Sequence, residues 1–195
     1  MKKLLFLILC TLLVLFGVTV PALAAADFYF VFVYDGSVLA IDETAHTVVT
    51  VDKIPPGSRV VCGYSWVAIN RGLAATFPRA ALMRLTVTGP SGLVVRCDET
   101  DCADFWSAPY RWNDWYSDPS WWAFAYNPKV AAGPWVCDWL VPCGNLPAGN
   151  YAIAYSDKFV RAMADPMWER PGTYPPVYPA YDWYDYGGPK TFVVQ

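Results

Sequence analysis

"MRLTVTGPSGLVVRC", Met83–Cys97, decides the fold class. Met83, Leu85 and Val87 alternate with Arg84, Thr86 and Thr88, the period of a strand buried on one face only. "GPSG" then supplies a turn, and "LVVRC" reads as the hairpin partner. Working outward, "SRVVCGYSWVAI" places Val60, Cys62, Tyr64, Trp66 and Ala68 on one side, and "NYAIAYS" does the same for Tyr151, Ile153 and Tyr155. "TVVTV" and "KTFVV" complete the clear strands. Helical stretches are few. "NRGLAATFPRAALM" holds a turn or two broken at Pro78, and "SDKFVRAMADP" reads as a capped helix or equally as a strand. Many short strands with glycine and proline turns predict an all-β chain, an antiparallel β-sandwich with a barrel as the alternative.

"FYFVFVY", Phe28–Tyr34, is apolar on both faces. Such a strand is covered on both sides or paired with another chain; an interior strand is expected, with donation to a neighbouring subunit as the sharper alternative. "IPPGSRVV" and "LPAGNYAI" share a turn that feeds a strand, read here as two equivalent sandwich corners and not as a repeat.

The N-terminus predicts export. Lys2 and Lys3 precede an apolar run from Leu4 to Val20, and "PALAAAD" offers small residues at Ala22 and Ala24. This is the order of a cleaved signal peptide, residues 1–24. A single domain over residues 25–195 is expected, secreted or held extracytoplasmically, with no stable membrane insertion after cleavage. Loss of both leader lysines leaves 12 basic against 17 acidic side chains. That balance, without a basic cluster, disfavours a nucleic-acid partner.

Oxidising surroundings favour disulfides. The short loops "CDETDC" and "CDWLVPC" predict local pairs among Cys97, Cys102, Cys137 and Cys143, with pairing between the two loops as the rival and Cys62 left over. The spacings do not fit zinc pairs. "CDETDCAD" gathers Asp98, Glu99, Asp101 and Asp104, which admits calcium, although a solvated acidic hairpin end accounts for them equally well.

No cofactor motif appears: no P-loop, GxGxxG, HExxH or GxSxG. The one histidine, His46, has no marked partner beyond a formal pairing with Cys62. Glutamates are confined to Glu43, Glu99 and Glu169, and Asp114, Asp118 and Asp138 lie in the tryptophan-rich stretch, where they could face a sugar. A small carboxylate hydrolase is therefore only the third reading.

The aromatic residues carry the leading one. Residues 105–139 read as a long irregular loop and hold seven of the ten tryptophans, so this stretch is where a ring-based contact surface is expected. Arg111, Trp112, Asn113, Asp114, Trp115, Tyr116, Trp121 and Trp122 interleave flat rings with hydroxyl-binding groups, suited to a surface glycan or an extracellular protein. Packing of the loop onto the sheets competes for the same rings. Trp121 and Trp122 are adjacent and face opposite ways in an extended segment, so one of them is the first candidate for exposure. Residues 171–189, rich in proline and tyrosine, are expected to lie extended over the domain. The sequence thus predicts a secreted, non-catalytic binding module. A structural or assembly component of the cell envelope, using "FYFVFVY" or the tyrosine-rich tail, is the alternative.

Overall fold

The computed structural model describes residues 28–34, 37–44, 47–111, 135–164 and 177–195. The elements run β1 (Tyr29–Tyr34), β2 (Ser37–Asp42), β3 (Thr47–Val49), β4 (Arg59–Ala68), α1 (Arg71–Ala74), α2 (Phe77–Ala80), β5 (Ala81–Gly89), β6 (Gly92–Glu99), a 3-10 turn (Ala103–Phe105), β7 (Tyr110–Arg111), β8 (Trp135–Asn145), β9 (Gly149–Phe159), β10 (Met163–Ala164), β11 (Val177–Tyr178), β12 (Tyr181–Asp185) and β13 (Lys190–Val194). Strands dominate, and two main sheets face each other. Sheet I has the order β3-β2-β1-β4-β8-β7; sheet II has β12-β9-β5-β6, with β13 also on β9; β10 and β11 form a separate pair. Neither sheet closes on itself, so the fold is an open all-β sandwich and not a barrel.

The alternation at Met83–Thr88 builds the centre of sheet II. Met83, Leu85 and Val87 are buried, while Arg84 and Thr86 are half-buried and Thr88 is exposed. β6 folds back through Gly89-Pro90-Ser91-Gly92, with Gly92 in the left-handed region at φ 105°. β9 repeats the pattern: Tyr151, Ile153, Tyr155, Asp157 and Phe159 point inward. The segment that reads as a helix or a strand after Tyr155 is therefore strand as far as Phe159. In the "NRGLAATFPRAALM" segment two single helical turns form; Asn70 caps the first by accepting from the Leu73 N–H at 2.9 Å. Pro78 sits in the first turn of the second, where no intrahelical N–H is needed.

β1 is interior, as its two apolar faces require. It pairs antiparallel with β2 and parallel with β4 within its own chain. Val31 and Val33 join the core between the sheets, while Phe30 and Phe32 pack on the outer face with Ile41, Val61, Val67 and Val136. The parallel pair departs from the all-antiparallel expectation. A parallel neighbour needs a crossover, and here β2, β3 and residues 50–58 make it. The crossover is itself stitched to sheet II: Val193 N–H donates to Val51 O at 2.7 Å, and Ile54 bridges Val194. The two corner turns meet as well. Gly57 N–H donates to Leu146 O at 2.7 Å, and Leu146 N–H donates to Ser58 O at 3.1 Å. Ile54 and Leu146, the apolar residues that open "IPPG" and "LPAG", are both buried in the shared core.

The loop expected between Cys137 and Cys143 is instead strand. β8 runs 11 residues along the whole of β4, from Arg59↔Asn145 to Ala68↔Trp135. Six residues of extended chain separate Cys137 from Cys143 by about 20 Å, far beyond disulfide reach. That local pair is corrected: Cys137 and Cys143 are free thiols here, as is Cys62. Cys97–Cys102 is closed, with its Cα atoms 5.6 Å apart. Two tryptophans assigned to the irregular stretch, Trp135 and Trp139, also lie in β8. In the proline- and tyrosine-rich stretch, β11 and β12 are extended, and β12 lies along the end of β9.

Candidate functional site

The register of sheet II sets the shape of its outer face. One row crosses four strands as Asp98 (β6), Arg84 (β5), Ser156 (β9) and Asp185 (β12); the next row is Arg96, Thr86 and Ala154. Thr86, Ser156 and Ala154 on the central strands are small, while Arg84 on β5 and Arg96, Asp98 and Asp185 on the flanking strands are longer. The result is an open groove of about 570 Å³ lined by these residues over Leu85 and Tyr155. That volume suits a small ligand or a segment of a polymer.

Its charged groups are mutually engaged. Arg84 Nη2 meets Glu99 Oε1 at 2.9 Å, and Arg96 Nε meets Asp98 Oδ2 at 2.7 Å. The Arg84 guanidinium also lies 3.6 Å from the ring centroid of Trp183, a cation–π contact that stacks the indole on this lining arginine. Beyond it, Lys158 Nζ binds Asp182 Oδ1 at 3.0 Å. Lys158, and with it the Trp183 N–H, holds the Asp182 carboxyl below its ordinary value. Three cations thus face Asp98, Glu99, Asp182 and Asp185, so neither sign dominates. Planar donors and acceptors set beside a ring are the groups that bind hydroxyl-rich, uncharged molecules. Of the three acids in the disulfide ring, Asp98 and Glu99 are turned to arginines. Among the described residues no three His, Cys, Asp or Glu side chains are close enough to share a metal ion.

Two buried carboxylates lie elsewhere, on different sheets. Asp138 belongs to the outer face of sheet I, where it accepts from Ser65 Oγ at 2.6 Å and from the Tyr110 hydroxyl. Burial raises its pKa, and those two bonds oppose the rise. Glu43 lines the same cavity, but its volume is about 10 Å³, room for one water and not for a sugar. Asp157 is 1 % exposed and lies between the sheets. Its Oδ2 accepts from Tyr181 Oη at 2.8 Å, while Oδ1 is buried with no well-placed donor. Neither acid opens on the groove, and the two do not flank one cleft.

Asp157 sets a pH dependence. Burial pushes its pKa from 3.8 to about 6, against the pull of the Tyr181 and Tyr186 hydroxyls. Tyr64, Tyr155, Tyr181 and Tyr186 surround it; burial first, and neighbouring charges after it, hold these phenols well above their usual range, so they remain protonated. The carboxyl prefers its neutral form when folded. Its stabilising contribution is full below pH 3.8 and is lost as pH rises through 6, a change of roughly 3 kcal/mol. Asp157→Asn is expected to remove that loss, so the variant gains on the wild type between pH 4.5 and 7.5. Urea midpoints of both proteins at the two pH values measure it; parallel pH dependence in the two would contradict the assignment.

Of the loop residues expected to bind, Arg111 alone is described. It is exposed at the sheet edge in β7, opposite Trp135. Trp112, Asn113, Asp114, Trp115, Tyr116, Trp121 and Trp122 lie outside the described residues, as do His46, Asp118, Glu169 and the leader segment 1–24. Trp106 and Trp139, from the same tryptophan-rich stretch, pack inside: they stack at 6.2 Å, and Trp139 Nε1 donates to Cys102 O at 2.8 Å. Among the described residues no helix is long and apolar enough to cross a membrane.

Fold and site together define an open all-β sandwich with a charge-balanced polar groove on one outer face. Compared with protein-family models, curated proteins and solved structures, the chain matches none.

Proposed function

We propose that the protein is an exported, non-catalytic sandwich that binds a surface glycan, and that the outer face of sheet II is part of the binding surface. The groove carries this reading. It offers arginines and carboxylates and the Thr86 and Ser156 hydroxyls, with one indole stacked on Arg84 beside them, in a volume of about 570 Å³. The balance of charge favours a neutral polysaccharide over a polyanion. Export rests on the leader-like residues 1–24 and agrees with the closed Cys97–Cys102 bond. Beyond Arg111, the tryptophans and tyrosine of residues 112–122, which lie outside the described residues, are expected to serve the same kind of ligand.

The test is titration of the protein with neutral and acidic polysaccharides, followed by tryptophan fluorescence and calorimetry. Trp183→Ala and Arg84→Ala are each expected to weaken binding by about tenfold or more, because each removes one half of the stacked pair. Their unfolding midpoints should stay near the wild-type value, since both side chains are on the outer face. Absence of binding to every polysaccharide, or binding indifferent to both substitutions, overturns the assignment of the groove. A protein partner in an envelope assembly is the second reading. It is favoured by exposed Val177, Tyr178 and Tyr184 on β11 and β12, and concentration-dependent oligomers in size exclusion would support it.

A further inference from the structure

Of the cysteines the structure leaves as thiols, two meet. Cys62 lies on β4, wholly buried and facing the space between the sheets beside Val60. Its cross-strand partner is Val141. The ladder then shifts: Val61 pairs with Pro142, but Val60 pairs with Gly144. Cys143 is therefore the extra residue of a β-bulge. In a regular ladder the side chain two positions beyond the direct partner lies on the same face but too far for a covalent bond. The bulge crowds Cys143 against β4 and leaves it partly buried on the same core as Cys62. Cys143 Sγ donates to the carbonyl of Val141, the cross-strand partner of Cys62, at 3.8 Å, which sets the two sulfurs side by side on that core.

We propose that Cys62 and Cys143 form a second disulfide, which locks β4 to β8 across the bulge, and that Cys137 is the thiol left over. The oxidant is a disulfide of the kind that closes Cys97–Cys102. The Cys143 thiolate, on the half-exposed side, attacks one sulfur of that disulfide and expels the other as a thiol. Cys62 then loses its proton and attacks the Cys143 sulfur, breaking the mixed disulfide and releasing the second thiol. Two protein thiols lose two electrons and two protons, and one disulfide is reduced to two thiols. Burial, and after it the Cys143 sulfur, raises the pKa of Cys62, so Cys143 makes the first attack and ring closure waits on the deprotonation of Cys62. Cys137 has no such neighbour. Its sulfur donates to Ser107 O at 3.0 Å beside Ala68 and Ala74, at the far end of β8, and burial pushes its pKa up to about 11.

The test uses the full chain equilibrated in glutathione buffers oxidising enough to close Cys97–Cys102. Free thiols are alkylated in denaturant, and the digest is read by mass spectrometry. The expected result is one cross-linked peptide pair joining Cys62 to Cys143, about 2 Da lighter than the two free peptides together. Of the five cysteines after Ala24, Cys137 alone should carry the alkyl group. Cys143→Ser, at a half-exposed position, should fold and return Cys62 to the alkylated set. Alkylation of both Cys62 and Cys143 while Cys97–Cys102 is closed overturns the proposal, as does a bond from either to Cys137.

Discussion

Gly63→Ala is expected to destabilise the protein by more than about 4 kcal/mol, or to prevent folding outright. Gly63 lies in β4 with Phe32 of β1 on one side and Leu140 of β8 on the other. A Cβ placed there would sit 1.7 Å from the Trp139 carbonyl oxygen and 2.8 Å from its carbon. Those atoms are backbone in the middle of the longest ladder, so no side chain can rotate to relieve the clash. Relief requires parting β4 from β8, and with them the core built on Cys62 and Trp139. Gly57→Ala is the control. Its φ of 81° carries left-handed strain, but nothing lies within 4 Å, so a cost of about 1–2 kcal/mol is expected. Guanidinium unfolding of the two variants separates steric exclusion from the general flexibility of glycine. A Gly63→Ala protein within 1 kcal/mol of wild type, on the scale of an ordinary surface change, would refute the account.

Trp139→Ala is the second large effect, about 4–6 kcal/mol. Trp139 is fully buried between the sheets, and truncating a buried tryptophan costs about 3–5 kcal/mol through lost transfer energy and the cavity left behind. The indole N–H also donates to the Cys102 carbonyl, which then keeps only its bond from Phe105 N–H; that bond adds about 1 kcal/mol. Trp139→Phe keeps most of the ring and loses the donor, so a smaller cost of about 1–2 kcal/mol is expected. The alanine variant should also expose Cys97–Cys102 to faster reduction by dithiothreitol, because the ring is anchored to sheet I through this indole. Unfolding curves and timed alkylation read the two effects; a cost under 2 kcal/mol, with unchanged reduction, would show that Trp139 is not the anchor described.

The sequence announces the strands that obey a simple rule. Met83–Thr88 and Tyr151–Tyr155 alternate because one face of sheet II is solvated, and that is the pattern a reader can see. β1 is legible through the opposite sign, since apolar residues on both faces demand cover on both. β8 obeys neither rule. Val136, Trp139 and Val141 fill opposite faces, Asp138 interrupts one of them, and Pro142 and two cysteines imitate a loop. Its pairing with β4 is set by residues some 70 positions away, which no local pattern records. The groove is hidden for a related reason. Arg84, Arg96, Ser156 and Asp185 read singly as solvated surface, and only the register of four strands sets them in rows. The disulfide at Cys97–Cys102 is local and was readable from its spacing, whereas the contact of Cys62 with Cys143 depends on a one-residue slip in a ladder.

The crossover between β3 and β4 has a consequence for biosynthesis. Its residues at Val51 and Ile54 find their backbone partners only at Val193, Val194 and Gln195. A nascent chain that has already produced β1 to β9 still lacks the strip that seals this edge. Closure therefore waits until Gln195 has cleared the ribosome. Until then the edge at Val51 and Ile54 stays unsealed, however far the earlier strands have paired.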